Sequence, residues 1–154
     1  DMEADQRKEQ EDVSEKSIKG LHILLAEDNE LNMEIAEFML QNEGADVTKA
    51  WNGQEAVELF EKSRAGEFDV ILMDIMMPVM NGYDATKTIR SLDREDAKEV
   101  PIIAMTANAF TEDRIRAKEA GMDEHIAKPV DAKLLVKVIH KLVDWRKILS
   151  EGDS

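Results

Sequence analysis

The sequence predicts an α/β fold in which a parallel sheet is covered by helices on both faces. Three observations predict it. Short strand-like runs alternate with helix-like segments five times along the chain, and the central runs, 70–73 and 101–105, are apolar throughout. Polar residues follow directly where these runs end. A strand joined to the next by a crossover helix gives a parallel pair, and strands buried on both faces read as continuous apolar runs.

The first two strand–helix units are read from apolar runs, polar turns and helical periodicity. An apolar strand over 22–26 is followed by a polar turn at 27–29. The next apolar side chains recur at helical spacing, at Leu31, Ile35, Phe38 and Met39. Glu43-Gly44 closes this helix, because glycine is common just past a helix end. A strand over 46–50 then leads into a helix that begins at Asn52-Gly53 and carries Ala56, Val57 and Phe60.

The last three units follow the same alternation. The strands are predicted at 68–73, 101–105 and 125–127, and the loops after the first two at 78–82 and 106–110. The helices are predicted at 83–90, at 111–121 with Thr111 as its cap, and from about 131 onward. The last helix carries apolar side chains on one face, at Leu134, Leu135, Val138, Ile139, Leu142 and Val143.

The two ends of the chain differ in composition from the repeating part. Residues 1–19 contain seven acidic and four basic side chains and almost nothing to bury, which predicts a linker or disordered acidic tail. The alternative is the end of a signalling helix that enters from an upstream domain. We expect one domain over 20–149 and a short tail over 150–154.

Composition excludes several classes of protein. The 34 acidic residues against 20 basic ones give a formal net charge of -14, which disfavours direct nucleic-acid binding. The absence of cysteine excludes disulfides, thiolate zinc sites and thiol catalysis. No apolar run approaches the length of a membrane span, and the first twenty residues do not resemble a signal peptide. We therefore expect a cytoplasmic segment without membrane insertion.

Polar residues stand where the predicted strands end, and parallel strands end at the same edge of a sheet. They are Glu27, Asp28, Asp74, Thr106 and Lys128. Each alone has an ordinary explanation, such as an N-cap, a loop cap or a surface lysine. Together, carboxylates that repel one another favour a shared hard cation such as Mg²⁺. A lysine and a hydroxyl facing them suit a phosphoryl group, so the pattern predicts a phosphoryl-transfer site.

The same segments resemble the receiver domain of two-component response regulators. The likeness is carried in order by LLAEDN (24–29), VILMDIMMPVMNGYDATKTIR (70–90), PIIAMTANAF (101–110) and AGMDEHIAKPV (120–130). The resemblance covers residues 21 to about 143. Within the family, the sequence is most similar to receivers attached to hybrid histidine kinases. The resemblance implies a flavodoxin-like doubly wound (βα)5 fold with strand order 2-1-3-4-5.

The resemblance also implies a phosphoacceptor and a magnesium site. Asp74 matches the residue whose carboxylate attacks the phosphorus of a phosphohistidine on a partner, either a histidine kinase or a phosphotransfer protein. Asp28 and Asp74 would ligate Mg²⁺ directly, together with the backbone carbonyl of Met76. Glu27 would act largely through water.

The phosphoryl group itself would be held by residues from the last two strands. Lys128 would pair with its oxygens, and the Thr106 hydroxyl would swing toward it, helped by the amide of Ala107. In receivers the switch residue three positions before the lysine is usually Tyr or Phe, whereas here it is His125. The family also places a cis peptide bond before the proline, here at Lys128-Pro129.

Three functions remain to be distinguished. The first is a signalling receiver that controls protein contacts, either stand-alone or excised from a hybrid kinase. The second is an aspartyl-phosphate phosphatase, but the haloacid-dehalogenase type carries a second Asp at the position of Met76, so only slow self-dephosphorylation is expected. The third is a module that no longer uses phosphate. The resemblance places the output or homodimer surface on the helix that begins at Thr111, the last strand and the last helix, around Arg114, Lys118, His125 and Lys137.

Overall fold

The computed structural model describes residues 18–107 and 111–152. The strands are β1 (His22–Ala26), β2 (Asp46–Ala50), β3 (Val70–Asp74), β4 (Ile102–Thr106) and β5 (Glu124–Ala127). The helices are α1 (Glu30–Asn42), α2 (Gly53–Lys62), α3 (Gly82–Arg90), α4 (Glu95–Glu99), α5 (Thr111–Ala120) and α6 (Ala132–Gly152). Most of the predicted linker, residues 1–17, lies outside the described residues, as do 108–110 of the predicted exit loop.

The five strands form one parallel sheet in the order β2-β1-β3-β4-β5, which confirms the expected topology. The register aligns the ends of the strands. Ala26 pairs with Met73, Asp74 with Met105, and Thr106 with Ala127. The residues that follow β1, β3, β4 and β5 therefore lie at the same edge of the sheet.

Both faces of the sheet are covered, as the apolar strands predict. One core joins side chains such as Leu24 and Ile71 to α2, α3 and α5. The other joins Ile23, Leu25 and Leu72 to α1 and α6. Because successive strand residues point to opposite faces, neighbouring residues of β1 belong to different cores.

Some predicted boundaries move by one or two residues. β3 begins at Val70 rather than at 68, and Phe68 is buried in the core although it precedes the strand. The predicted strand at 101–105 is found at Ile102–Thr106. The short helix α4 was not predicted, since it has only five residues and buries only Ala97.

The helix predicted after β1 forms, but the residues it buries are not the apolar residues from which it was predicted. Met33, Ala36 and Leu40 pack into the core. Three of the four apolar side chains that marked the helix remain exposed, namely Leu31, Ile35 and Phe38. This helix therefore presents an apolar surface to solvent.

The two ends of the folded part extend beyond the expected limits. Ile18 falls within the predicted linker, yet its side chain is buried in the core under α1. α6 continues to Gly152, so residues 150–152 of the predicted tail are helical. Among the described residues no helix is both long enough and apolar enough to cross a bilayer.

Candidate functional site

The carboxylates predicted from the strand ends come together at the carboxyl edge of the sheet. Glu27 and Asp28 follow β1, and Asp74 ends β3. Glu27 and Asp74 are only 2% and 4% exposed, whereas Asp28 is exposed. The Glu27 N–H donates to the carbonyl of Ala50 at 3.0 Å, which ties the start of this turn to β2.

Lys128 reaches both buried carboxylates. Its Nζ atom lies 2.8 Å from Glu27 Oε2 and 3.0 Å from Asp74 Oδ2. The backbone holds the lysine in place, because its N–H donates to the Thr106 carbonyl at 2.8 Å. The Lys128-Pro129 peptide bond is cis, as expected. The ammonium group therefore bridges the ends of β1 and β3 from the loop after β5.

Burial and charge work against each other at this site. Burial, assisted by the negative charge of Glu27, raises the pKa of Asp74 to about 6, although the hydrogen bond from Lys128 lowers it. Burial would by itself lower the pKa of Lys128, but its hydrogen bonds to Glu27 and Asp74 outweigh burial and raise it above the ordinary value. The lysine therefore stays charged and only partly offsets the acidic cluster.

The geometry of the three carboxylates fits a hard divalent cation. One carboxylate oxygen from each of Glu27, Asp28 and Asp74 lies within 4.8 Å of the others. Three carboxylates against one lysine leave excess negative charge, and oxygen-only donors with room for water are what Mg²⁺ prefers. These residues could therefore hold such an ion without rearrangement of the strands.

The structure also places the predicted phosphoryl-binding residues at this edge. Thr106 ends β4 with its side chain buried, next to the strand that carries Asp74. Ala107 follows it and is exposed. On the other side, Met76 lies in the loop after β3 with its side chain 77% exposed.

His125, the predicted switch residue, lies on β5 opposite Ala104. Its side chain is partly buried, and its Nδ1 atom lies 3.4 Å from Oε1 of the neighbouring Glu124. A cavity of about 510 Å³ next to it is lined by α5 residues that include Arg114 and Lys118. The histidine is thus two residues from the end of the strand that leads to Lys128.

Sequence reasoning missed two backbone features of the site. The Asn29 N–H donates to Glu27 Oε1 at 3.1 Å, and the Asn29 side chain caps α1 by accepting from the Asn32 N–H at 2.9 Å. The polar run Glu27-Asp28-Asn29 was the available signal. That Glu27 reaches Mg²⁺ largely through water stays a prediction, and in the structure its carboxylate contacts Lys128 directly.

Comparisons with known proteins agree with this geometry. Residues 23–140 match the family model described as response regulator receiver domain. The chain is 36% identical to histidine kinase 1 of Arabidopsis thaliana, with 84% of this chain and 13% of that protein covered. It is 43% identical to hybrid signal transduction histidine kinase M of Dictyostelium discoideum, with 79% and 5% covered. The chain thus spans only a small part of these relatives.

Solved structures give the same result. One is the receiver domain of the sensor histidine kinase PA1611 from Pseudomonas aeruginosa, with a magnesium ion coordinated in its active-site cleft. It matches with 41% identity and a TM-score of 0.73, over 81% of this chain and 98% of that one. Another is the receiver domain of Saccharomyces cerevisiae Ssk1 in complex with the histidine phosphotransfer protein Ypd1, at 29% identity and a TM-score of 0.71, over 80% of this chain and 89% of that one.

Proposed function

The chain belongs to the family of response regulator receiver domains, and we propose that its Asp74 carboxylate accepts a phosphoryl group from a phosphohistidine on a partner protein. The observation that carries the proposal is the contact of Lys128 with the buried Asp74, beside two further carboxylates. This arrangement keeps a nucleophilic oxygen and a positive charge next to a site for a divalent cation.

The cation in this proposal is Mg²⁺. Asp28 and Asp74 would ligate it directly with the backbone carbonyl of Met76, and Glu27 would contribute through water. Bound Mg²⁺ would supply positive charge that offsets the repulsion between an approaching phosphoryl group and the carboxylates. The charge count of the cluster, three carboxylates against one lysine, supports this assignment.

The transfer step uses groups at the strand ends. An oxygen of Asp74 attacks phosphorus, the bond from phosphorus to the donor imidazole nitrogen breaks, and the electron pair of that bond leaves with the imidazole. Lys128 then pairs with the phosphoryl oxygens, and Thr106 and the Ala107 amide bind the group from β4. Movement of Thr106 toward the phosphoryl group would open space into which His125 turns as the switch.

The donor would approach over the exposed face of α1. A cavity of about 130 Å³ beside the acidic cluster is lined by Glu27 and Lys128 together with apolar α1 residues. The neighbouring apolar side chains on this helix are exposed, with Phe38 at 71%. A donor with an apolar surface around its phosphohistidine would bury this patch while placing phosphorus near Asp74.

We propose further that the chain is the receiver part of a hybrid histidine kinase, with a stand-alone response regulator as the alternative. Its sequence identity to two hybrid signal transduction histidine kinases of Dictyostelium discoideum supports the hybrid-kinase origin. In this proposal the receiver spans 20–149, extended at its ends by the buried Ile18 and by the α6 residues 150–152. It works in the cytoplasm and does not bind nucleic acid. Its output or homodimer surface would be α5, β5 and α6, around Arg114, Lys118, His125 and Lys137, where the cavity beside His125 lies.

The proposal is tested with phosphoramidate, a small donor that has the phosphorus–nitrogen bond of a phosphohistidine. With Mg²⁺ present, we expect the wild type to gain one phosphoryl group and to lose it in neutral hydroxylamine, which cleaves acyl phosphates. Asp74→Ala should not be labelled. A hydroxylamine-stable label, or a label retained in Asp74→Ala, would exclude Asp74 as the acceptor. Steady release of phosphate from a phosphate ester would instead favour the alternative function, an aspartyl-phosphate phosphatase.

A further inference from the structure

The loop after the phosphoacceptor strand is closed at both ends by backbone hydrogen bonds. At its start the Ile75 N–H donates to the Met105 carbonyl at 3.2 Å. The chain returns to the same residue when the Gly82 N–H donates to the Ile75 carbonyl at 2.9 Å. Residues 76–81 therefore form a short closed loop beside the acidic cluster.

This loop contains a strained turn at Val79. Its φ is 69°, a region that β-branched residues rarely occupy. The Met80 N–H donates to the Pro78 carbonyl at 2.7 Å, so three residues make the strained form of γ-turn. The Val79 side chain is 82% exposed, and its own packing therefore does not offset the strain. Such a conformation persists only where the surrounding structure imposes it.

The first residue of α2 holds the turn in place. The Gly53 N–H donates to the Met80 carbonyl at 2.9 Å. A Cβ atom at Gly53 would lie 2.3 Å from that carbonyl oxygen and 3.0 Å from the Asn81 oxygen. Unlike four other glycines of the described chain, Gly53 has no positive φ. Space for the loop, and not backbone conformation, is what requires glycine at this position.

We infer that Gly53 is a positioning residue for the cation site. The Gly53 N–H binds the end of the loop, and the absence of a side chain lets the loop lie directly against α2. The chain must then reverse direction at Val79 for Met76 to stay beside the acidic cluster. The inference rests on the proposed function, in which the Met76 carbonyl is a ligand. The strain at Val79 is the consequence of two anchors, Asp74 on β3 and Gly53 on α2, that lie too close for a relaxed loop.

Two variants act on the loop from different sides. Gly53→Ala places a methyl group against the Met80 carbonyl, which must move by about 1 Å to reach ordinary contact distance. Val79→Pro fixes φ near -65° and so forbids the turn, within an exposed segment. Val79→Gly is the matched control, because glycine adopts the positive φ without strain and leaves the bond from Gly53 intact.

The test measures Mg²⁺ affinity by calorimetry below the melting temperature and compares the amide signals of 76–80 in EDTA. We expect Gly53→Ala and Val79→Pro to raise the Kd for Mg²⁺ at least fivefold and to shift these signals without any metal. Val79→Gly should keep the Kd within twofold and should not lower the thermal midpoint.

Unchanged Mg²⁺ affinity in a folded Gly53→Ala or Val79→Pro protein would overturn the inference and leave Gly53 as a packing residue. Should Gly53→Ala fail to fold, Val79→Pro decides alone. A wild type that does not bind Mg²⁺ would instead refute the proposed function, so the two failures are distinguishable.

Discussion

The Nζ atom of Lys128 lies 3.0 Å from Oδ2 of Asp74 and contacts Glu27 Oε2 at 2.8 Å. One ammonium group thus contacts two buried carboxylates, one on the residue that follows β1 and one on the last residue of β3. Among the described residues, the ion pairs at this site join its carboxylates to Lys128, one lysine against three carboxylates, so the site carries excess negative charge. The stability, metal affinity and chemistry of this edge of the sheet are therefore coupled.

We expect Lys128→Met to lower the free energy of unfolding at pH 7.5 in EDTA by about 1–3 kcal/mol, because two buried carboxylates lose their counter-charge. Mg²⁺ should restore part of this loss by supplying positive charge. Chemical unfolding with and without Mg²⁺ measures both effects. Lys141→Met removes an exposed lysine from α6 and serves as the control. Equal stabilities for the two variants in EDTA would contradict the account.

Asp74→Asn should stabilise the metal-free protein near neutral pH. The folded-state pKa of Asp74, about 6, lies above the ordinary 3.8, so the unfolded chain releases this proton first as the pH rises. The loss of stability caused by ionising Asp74 in the folded protein therefore develops between pH 3.8 and about 6 and persists at higher pH. We expect a gain of about 1–3 kcal/mol at pH 7.5 that largely disappears at pH 4.

Unfolding in EDTA at both pH values tests this expectation. The control is Asp93→Asn, which neutralises an exposed carboxylate on the loop before α4. A gain of equal size at pH 4 and pH 7.5 would show that charge at Asp74 is not its cause.

The same pKa predicts how acid affects metal binding. Mg²⁺ requires the ionised carboxylate, so protons compete with it once the pH falls below the pKa of about 6. We expect the affinity for Mg²⁺ to be about tenfold weaker at pH 5 than at pH 7.5. Calorimetric titration at the two values measures it. Affinity that does not change over this range would mean that Asp74 is not a ligand.

Arg94 should contribute to stability without affecting the site. Its guanidinium pairs with Asp96 at 2.7 Å and donates to the Phe60 carbonyl at 2.8 Å, joining α4 to the end of α2. The hydrogen bond from Arg94 lowers the pKa of Asp96, so this pair stabilises the fold above about pH 4 and loses its effect as the pH falls through the lowered pKa.

We expect Arg94→Ala to lower the free energy of unfolding by about 2 kcal/mol at pH 7 while the Kd for Mg²⁺ stays the same. The difference from the wild type should shrink in acid. Arg64→Ala, an exposed arginine in the loop after α2, is the comparison. A loss that stays constant from pH 7 down to the onset of acid unfolding would argue against the ion pair.

The exposed face of α1 should matter only for a protein donor. We expect Phe38→Ala to slow phosphoryl transfer from a phosphorylated histidine phosphotransfer protein at least fivefold. The variant removes an exposed aromatic side chain from the helix that also supplies Ile35 and Met39 to the cavity beside the acidic cluster. Labelling by acetyl phosphate should not change, since a small donor does not contact this face. Rapid-quench assays with both donors separate these effects, and equal slowing with acetyl phosphate would place Phe38 in the chemistry instead.

The fold was largely predictable because its local and global signals agree. The apolar runs of β1, β3 and β4 are buried on both faces, and this is the condition that makes strands readable as continuous runs. α4 could not be predicted because a helix of five charged and small residues shows no helical periodicity of apolar side chains. On α1 the most apolar side chains are exposed, so periodicity identified the helix but not its buried face.

That Glu27, Asp28, Asp74, Thr106 and Lys128 meet at one edge of the sheet followed from topology, since parallel strands end at the same edge. The contacts between these side chains could not be predicted in the same way. Which carboxylates Lys128 contacts depends on the path of the loop after β5. The roles of Gly53 and Val79 are also invisible in sequence, as they arise from contact between α2 and a loop more than twenty positions away. A glycine after asparagine had only suggested the start of a helix.

The most direct test of the central claim is the intact mass of the protein after incubation with Mg²⁺ and acetyl phosphate. If Asp74 is the acceptor, the wild type gains one phosphoryl group, and neither Asp74→Ala nor the wild type in EDTA gains any. One added group on folded Asp74→Ala, or undiminished labelling in EDTA, would contradict this claim.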